Sequence, residues 1–400
     1  MSLFLSEIEI AFVQANLHAD VSKLLLAKPV AGLDTKKIAG QIRARQKAKH
    51  KLPTWCDNAQ LIFPAALSVE QASSELTAHY KASLLDSPTI IDLTGGMGVD
   101  AWAFAGVAQQ VFYVERDATL AQIAAYNFEM LKLTNVQVQA EDALVFCQQN
   151  VSNHSETTIY IDPHRRGSAN QKLVKMADYE PNVVQHLDLL MQQAQRVVVK
   201  VSPLLDLTQA QRDLPNISQI HVVAVDNEVK EVLLVIERPA TPVRFFAVNL
   251  SNTHPKHIFE FDPALEKTTE ATYSFPLKSL YEPNAAILKA GAFKTVAARF
   301  GIFKIGLHSH LYTSEHLVKA FAGRIFEVMA VCKADPKELR EYLPAGKANL
   351  TVRNFPMKTD DLIYKLGLKD GGDVYLLATT LHNGDKRLIV TQKPTNTHVF

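Results

Sequence analysis

Between residues 88 and 239, short runs rich in β-branched residues alternate with segments whose apolar positions recur at helical spacing. The strand-like runs cover 89–93, 110–115, 136–140, 158–162, 196–201, 217–225 and 231–237. The helical patterns lie between them at 99–106, 117–132, 141–150, 182–194 and 203–213. This alternation predicts an α/β fold, a mostly parallel sheet with helices on both faces. Only the turn 226–228 separates the last two strands, so they are expected to form an antiparallel hairpin.

The segments on either side of this sheet have a different pattern of apolar and polar residues. Before it, helical spacing is present at 4–27, 35–50 and 69–84, which predicts a helical N-terminal region. After Pro239 and Pro242 come a strand-like run at 243–250 and a helical pattern at 284–299. The pattern therefore predicts a helical region, a central sheet domain and two small α+β domains, with bounds 1–85, 86–239, 240–322 and 323–400.

The last predicted domain has its own local signals. Its pattern from 325 to 393 indicates the order strand, helix, strand, helix, strand, strand. Asp335 followed by Pro336 is a good helix start, with a capping side chain and proline at the first helical position. Asn383–Gly384 lies between two strand-like runs and predicts a tight hairpin turn.

Composition places the chain among folded proteins. Of its 400 residues, 47% are hydrophobic and 21% charged, which excludes disorder as the dominant state. No run approaches the roughly 20 apolar residues of a membrane span, and the N-terminus lacks the basic segment of a secretory signal. Three widely separated cysteines form no disulfide framework, and no Cys/His spacing suits a metal. We therefore expect a cytoplasmic protein without a structural metal.

The net charge of +1 conceals an uneven distribution of charge. Residues 81–239 hold 19 acidic and 12 basic residues, whereas residues 240–400 hold 15 acidic and 21 basic ones. The segment 36–51 has no acidic residue and seven basic ones, Lys36, Lys37, Arg43, Arg45, Lys47, Lys49 and Lys51. Like charges at helical spacing repel. Because no acidic residue at i±4 relieves them, a polyanion such as RNA is the favoured partner, with a solvated helix face as the alternative.

A glycine-rich turn follows the first predicted strand of the sheet, in the stretch IIDLTGGMGVDAWAFA (90–105). Gly95, Gly96 and Gly98 allow a tight turn and close approach of a ligand to the N-terminus of the next helix. The spacing also fits the dinucleotide fingerprint GxGxxA, and Glu115 after the second strand suits a ribose diol in either case. The turn alone does not distinguish S-adenosylmethionine from NAD as the cofactor.

Acidic residues after the other strands favour S-adenosylmethionine. Asp92 directly precedes the glycines, where it suits a cationic amino-acid ligand better than a pyrophosphate. Asp142 follows the third strand, where a carboxylate can accept from the amine of adenine. Asp162 ends the fourth strand in the sequence DPHRRG (162–167). Ligands of open α/β sheets bind at the carboxyl ends of the strands, where all of these residues are expected.

Taken in order, DLTGGMGVD, VERD, EDA and IDPHRRG resemble the motifs of class I S-adenosylmethionine-dependent methyltransferases, whose sheet also ends in an antiparallel hairpin. KVSPLLDL (200–207) and the C-terminal pattern resemble the bacterial members with a THUMP-like C-terminal domain, which are taken to modify RNA or have an unproven substrate. The resemblance implies S-adenosylmethionine as cofactor and tRNA or rRNA as partner. The implied cofactor site comprises Asp92, Thr94, Gly95, Gly96, Met97, Gly98, Glu115, Arg116, Asp142 and Ala143.

The same resemblance places Asp162 beside the transferred methyl group, with Arg165 and Arg166 as candidates for holding a phosphate. Two differences from other methyltransferases restrict the kinds of methyl transfer that this chain can catalyse. Exocyclic-amine methylases usually carry an aromatic residue in this motif, but here it continues with His164 and Arg165. The 5-methyluridine enzymes need a cysteine after the fifth strand, where this chain has VVKVSP (198–203). The remaining mechanism is direct displacement, in which a nitrogen or oxygen atom of the substrate attacks the methyl group.

Other functions remain open at this stage. A methyltransferase acting on a small molecule or a protein would be active without residues 1–80. A non-catalytic RNA-binding protein would use the sheet domain only as a scaffold. An NAD enzyme is disfavoured because no hydride-transfer residues are present. The role of Lys200, on a strand expected to be buried, stays undecided between a buried stem and a place in the site.

Overall fold

The computed structural model describes residues 3–27, 32–150, 154–165 and 175–394. The chain forms two compact units, one of residues 1–220 with 231–242 and the other of residues 221–230 with 243–400. The first unit therefore contains the N-terminal helices together with the predicted central sheet. None of the described helices has the length and hydropathy that crossing a bilayer requires.

Six helices precede the sheet within the described part of the first unit. They are α1 (Glu7–Ala15), α2 (Val21–Leu26), α3 (Thr35–Ala48), α4 (Pro53–Asp57), α5 (Ala66–Gln71) and α6 (Glu75–Ala82). The prediction of one helix over 4–27 is wrong, because the Asp20 carboxylate accepts the N–H groups of Ser22 and Lys23 and starts a new helix there. The prediction of one helix over 69–84 is also wrong, since Ser74 caps α6.

The sheet of the first unit has the order β8-β9-β7-β4-β1-β2-β3. Its strands β1, β2, β3, β4 and β7 run parallel, and β9 is antiparallel to β7. The bounds are β1 (Thr89–Asp92), β2 (Gln110–Val114), β3 (Val136–Gln139), β4 (Thr157–Ile161), β5 (His164–Arg165), β6 (Tyr179–Glu180), β7 (Arg196–Val201), β8 (Ile217–Val225) and β9 (Glu228–Glu237). All seven predicted strands are present, which confirms the predicted fold class.

The helices that connect the parallel strands also lie where the sequence pattern placed them. They are α7 (Val99–Ala105), α8 (Ala118–Met130), α9 (Ala143–Gln149), α10 (Val183–Gln193) and α11 (Leu207–Asp213). Asp226 and Asn227, both with positive φ, form the two-residue turn of the β8–β9 hairpin. The short strands β5 and β6 form a separate antiparallel pair that follows β4. The hairpin at the end of the sheet is therefore confirmed.

In the second unit, β10 (Arg244–Leu250) and β11 (His257–Phe261) pair with each other. A seven-stranded sheet has the order β13-β14-β12-β15-β18-β17-β16. Its strands are β12 (Ser279–Pro283), β13 (Phe303–Lys304), β14 (Tyr312–Ser314), β15 (Gly323–Cys332), β16 (Asn349–Arg353), β17 (Val374–Thr380) and β18 (Lys386–Gln392). Because β12 pairs with β15, one sheet continues across residue 322, where the sequence pattern placed a domain boundary.

The helices of the second unit are α12 (Pro263–Thr268), α13 (Ala285–Ala290), α14 (Lys294–Phe300), α15 (Pro336–Leu339) and α16 (Thr359–Leu366). The predicted helix 284–299 is divided in two, because Gly291 takes the left-handed conformation at φ +82 and ends α13. Asp335 caps α15, and Gly384 has φ +87 in the turn between β17 and β18, as the sequence predicted.

One buried lysine joins the N-terminal helices to the sheet. Lys81 of α6 is fully buried, and its Nζ lies 2.8 Å from Asp100 Oδ1 and 3.4 Å from Glu231 Oε2. The Ser73 hydroxyl donates to Asp100 Oδ2 at 2.8 Å. Ile62 and the Asn127 side chain exchange two further hydrogen bonds of 2.8 Å between the helical region and α8. The N-terminal region is thus packed as part of the sheet unit.

We expect Lys81→Met to destabilise the protein by about 3–5 kcal/mol, because it leaves Asp100 and Glu231 buried without a counter-charge. Lys47→Met is the matched control, since Lys47 forms a solvent-exposed pair with Glu70 and such pairs contribute about 0–1 kcal/mol. Urea unfolding of both variants measures the difference. Equal small losses would show that the buried cluster does not hold the unit together.

Candidate active site

The glycine turn leads from the end of β1 into α7 at the carboxyl edge of the sheet. Gly96 and Gly98 have φ of +54 and +89, a region that side chains with a Cβ rarely adopt. A Cβ on Gly95 would lie 2.2 Å from the ring of Tyr113, which is buried on β2. The turn therefore needs glycine at these three positions, and Gly95 is needed because an aromatic ring fills the space beside it.

Hydrogen bonds to β2 fix the shape of this turn. The Tyr113 hydroxyl donates to the Gly96 carbonyl at 2.6 Å, and the Gly96 N–H donates to Glu115 Oε2 at 2.9 Å. Glu115 Oε1 accepts the N–H of Asp117 at 2.8 Å. Each carboxylate oxygen can accept more than one hydrogen bond. Glu115 is therefore a fixed, half-buried carboxylate against the turn that can still accept from ligand hydroxyls.

Asp92 is a buried carboxyl group at the start of the turn. Its Oδ1 accepts the Thr94 N–H at 3.1 Å, whereas its buried Oδ2 accepts no hydrogen bond from the described residues. Burial raises the pKa of Asp92 well above its usual value, and the negative charge of Asp100 adds to this effect. A buried carboxylate oxygen without a donor is costly, so this position suits a cationic or hydrogen-bond-donating ligand group.

The other predicted cofactor residues occupy the same edge of the sheet. Met97 is buried within the turn, and Arg116 is exposed, with Nη1 3.4 Å from Glu180. Asp142 is exposed and caps α9, because its Oδ1 accepts two backbone N–H groups of the first turn. The structure thus gives Asp142 a local capping role besides the predicted adenine contact. Ala143, the first residue of α9, is buried.

Asp162 is anchored at two points beside the glycine turn. Its N–H donates to Thr94 Oγ1 at 2.6 Å, which ties the end of β4 to the turn. Its Oδ2 accepts from Lys200 Nζ at 2.5 Å. The Asp162 side chain is 32% exposed and that of Lys200 only 16%. Lys200, undecided from the sequence, is therefore a direct partner of the predicted catalytic carboxylate.

Charges on Lys81, Lys200 and four carboxylates influence one another in this unit. Burial alone would lower the pKa of Lys200, but Asp162, Glu231 and Asp100 outweigh it and raise that pKa. Burial also raises the pKa of Glu231, whose buried Oε1 accepts no hydrogen bond from described groups. The Tyr160 hydroxyl donates to Asp100 Oδ2 at 3.1 Å. Lys200 therefore remains an ammonium group that the cluster holds in place.

The structure gives little information on Arg165 and Arg166, the two arginines predicted to hold a phosphate. Arg166 lies outside the described residues. Arg165 is described only in its backbone, which pairs with Tyr179 in the β5–β6 ladder. The preceding His164 is exposed, with Nε2 3.6 Å from Glu180 Oε2. Contacts of these arginines with a phosphate therefore stay a prediction.

Four members of the basic segment 36–51 have partners inside the protein. Arg45 is 3% exposed and donates to four carbonyl groups, those of Cys56, Asn58, Ala59 and Leu61. Lys37 Nζ lies 2.8 Å from Glu9, and Lys47 pairs with Glu70. Lys51 donates to the carbonyls of residues 69 and 70, and burial lowers its pKa to about 8, with Lys200 and Lys81 adding to this. The segment has no acidic partner at i±4, but partners far away in sequence relieve part of its charge, and the buried Arg45 is not available to RNA.

What remains exposed on α3 is a narrower basic stripe. Lys36, Gly40, Arg43 and Lys47 recur at helical spacing on its solvent face, and Lys49 follows at the end of the helix. A Cβ on Gly40 would meet nothing within 4 Å. We call Lys36, Arg43 and Lys49 the α3 stripe, and leave out Lys47 because it pairs with Glu70.

Comparisons with known proteins find similar domains, sequences and structures. A ferredoxin-like domain model matches residues 280–321, and a THUMP domain-like model matches residues 323–393. A protein of Porphyromonas gingivalis W83, assigned as a methyltransferase and solved by crystallography, is 30% identical, with a TM-score of 0.86 over 98% of this chain and 99% of that one. An uncharacterized S-adenosylmethionine-dependent methyltransferase of Mycobacterium tuberculosis strain H37Rv is 24% identical over 349 residues, covering 85% of this chain and 91% of its own.

Gly95→Ala tests the turn. The added Cβ would collide with the Tyr113 ring, so we expect a destabilisation of about 1–3 kcal/mol and loss of the thermal shift that S-adenosylmethionine produces. Gly40→Ala is the matched control. It fills open space on a helix and should stabilise by about 0.5–1 kcal/mol without changing that thermal shift. A normal thermal shift in Gly95→Ala would contradict the role given to this turn.

Proposed function

Since the chain belongs to the class I S-adenosylmethionine-dependent methyltransferases with a THUMP-like C-terminal domain, we propose that it methylates an RNA base at a nitrogen or oxygen atom. The observation that carries the proposal is the anchored carboxylate of Asp162. Thr94 and Lys200 hold it at the glycine turn, and about a third of its surface is exposed. A carboxylate held in this way can orient a nucleophilic atom for attack.

The residues around the turn fit the methyl donor. We assign the buried Asp92 Oδ2 to the ammonium group of the methionine part and Glu115 to the ribose hydroxyls. Asp142 would accept from the adenine amine, and the glycine turn would lie against the methionine part. When bound, S-adenosylmethionine supplies a methyl carbon made electrophilic by the positively charged sulfur. The protein's own contribution is to position the acceptor and to hold charge.

The state of the cysteines supports direct displacement. A covalent adduct needs a thiolate. Burial raises the pKa of all three cysteine thiols, that of Cys147 to about 12. After β7, where the 5-methyluridine enzymes have their cysteine, this chain has Ser202, whose N–H donates to the Tyr179 hydroxyl. We therefore propose a single transfer step without an enzyme adduct.

Two features support RNA, either tRNA or rRNA, as the substrate. The match at 323–393 is to a THUMP-like domain, and the resemblance to RNA-modifying methyltransferases implies that this domain contacts RNA. The α3 stripe presents basic side chains that can bind phosphates, a salt-dependent interaction. Arg45 is excluded from this surface, and Lys37, Lys47 and Lys51 contribute less because they already have partners.

A small-molecule or protein acceptor is the second candidate, but deleting residues 1–80 does not separate the two. Ser73 and the backbone of Ile62 bond to the sheet unit, so the deletion would damage the fold as well as any RNA contact. Point substitutions on exposed residues are required instead.

The proposed transfer is tested with labelled S-adenosylmethionine and bulk RNA from cells lacking the gene. We expect Asp162→Ala to reduce incorporation to a small but measurable residual rate while cofactor binding, measured by calorimetry, stays at the wild-type affinity. Asp188→Ala, which removes an exposed carboxylate paired with Arg238, should leave incorporation unchanged. Equal loss of binding and transfer in Asp162→Ala would refute the role given to this residue. Absence of incorporation by the wild-type protein would favour an acceptor other than RNA.

The α3 stripe is tested by Arg43→Glu. Loss of one phosphate contact should weaken RNA binding and reduce the slope of log K against log salt by roughly one. Lys23→Glu on α2 makes the same charge change at another exposed position of the N-terminal region and should have a smaller effect. Filter binding over a range of salt concentrations measures both. Identical binding curves for the two variants would mean that the stripe is only a solvated helix face.

A further inference from the structure

We propose that Lys200 is a positioning residue that orients Asp162, so that Oδ1 accepts a hydrogen bond from a target atom that carries hydrogen. The proposal rests on the proposed function and restricts the methylated atom to a nitrogen or oxygen that carries hydrogen. It follows from the way in which the Asp162 hydrogen-bonding groups are already used.

Two hydrogen-bonding groups of Asp162, one on the main chain and one on the side chain, are occupied before a substrate binds. The backbone N–H donates to Thr94 Oγ1 at 2.6 Å, and Oδ2 accepts from Lys200 Nζ at 2.5 Å. Because the main chain and one carboxylate oxygen are both held, the side chain cannot rotate without breaking the ion pair. Oδ1 is thereby left in a defined direction on a side chain that is 32% exposed.

Lys200 is itself rigidly placed. It lies on β7, where Val199 and Val201 on either side are buried in the sheet. Its side chain is mostly withdrawn from water, and withdrawing an ammonium from water is costly unless it is paired. The pairing with Asp162 offsets this cost, so the two charges hold each other in one geometry. The ion pair occupies Oδ2 and leaves Oδ1 able to accept a hydrogen bond from a substrate group.

This arrangement selects the chemistry of the acceptor. An oxygen that only accepts can hold an N–H or an O–H, whereas a ring nitrogen or carbon without hydrogen presents nothing to it. The target atom attacks with a lone pair: its bond to the methyl carbon forms, the C–S bond breaks, and the electron pair of that bond goes to sulfur. The proton of the methylated atom is released to water.

A double-mutant cycle tests whether Lys200 acts through Asp162. We expect Lys200→Met to lower kcat by roughly a hundredfold with little change in KM for RNA, because it removes orientation and not binding. Lys200→Arg, which keeps a cation, should recover most of that loss. In the Asp162→Ala background, Lys200→Met should have no further effect, since the residue through which it acts is absent.

Arg196→Met is the control for a merely structural role. Arg196 lies on the same strand, is 18% exposed, and pairs with Asp86 and Glu237 at the opposite end of β7. Its substitution should lower the melting temperature by an amount similar to Lys200→Met, with kcat unchanged. If both variants lose stability and neither changes kcat, or if the cycle is additive, the positioning role is refuted.

Mass spectrometry of the digested RNA identifies the product. A methyl group on a nitrogen or oxygen that carried hydrogen supports the proposal, whereas a methyl group on carbon or on a ring nitrogen without hydrogen overturns it. If the wild-type protein methylates an acceptor other than RNA, the proposed function fails. The kinetic cycle at Asp162 and Lys200, measured on that other acceptor, then decides the positioning role separately.

Discussion

The buried ammonium of Lys81 is the constraint on which the first unit depends. It has no contact with water, and it is neutralised by Asp100 from the helix after the glycine turn and by Glu231 from β9. Removing either side would leave an unpaired buried charge, so α6, α7 and β9 keep their relative positions. The direction in which α7 leaves the glycine turn is therefore set partly by a helix that precedes the sheet in sequence.

The same cluster explains why the site suits a cationic methyl donor. Four carboxylates, those of Asp92, Asp100, Asp162 and Glu231, influence one another. Among the described residues, Lys81 pairs with Asp100 and Glu231, and Lys200 pairs with Asp162. Burial raises the pKa of Asp92 and Glu231, which reflects the cost of keeping this much negative charge away from water. A ligand with a positively charged sulfur and an ammonium group would reduce that cost, whereas a pyrophosphate would increase it.

The sequence pattern predicted the strands better than it predicted the helix ends or the buried charges. Strands of a parallel sheet are continuous apolar runs, and the run predicted at 196–201 has the same bounds as β7. The breaks at Asp20, Ser74 and Gly291 depend on single capping residues within otherwise periodic segments. The signal for Lys200 was present as a lysine within VVVKV, but its meaning depends on Asp162, 38 residues earlier in the chain.

The basic segment shows why a count of charges along a helix is a weak guide to its partner. Neighbours at i±4 do not show how these charges are relieved, because the actual partners of Lys37 and Lys47 are Glu9 and Glu70, more than twenty residues away. The Arg45 guanidinium donates hydrogen bonds to carbonyl groups of the loop after α4, so this side chain stabilises the fold. A charge is informative about an external polyanion only after its internal partners are known, and by that criterion the α3 stripe is the part of the segment still suited to RNA.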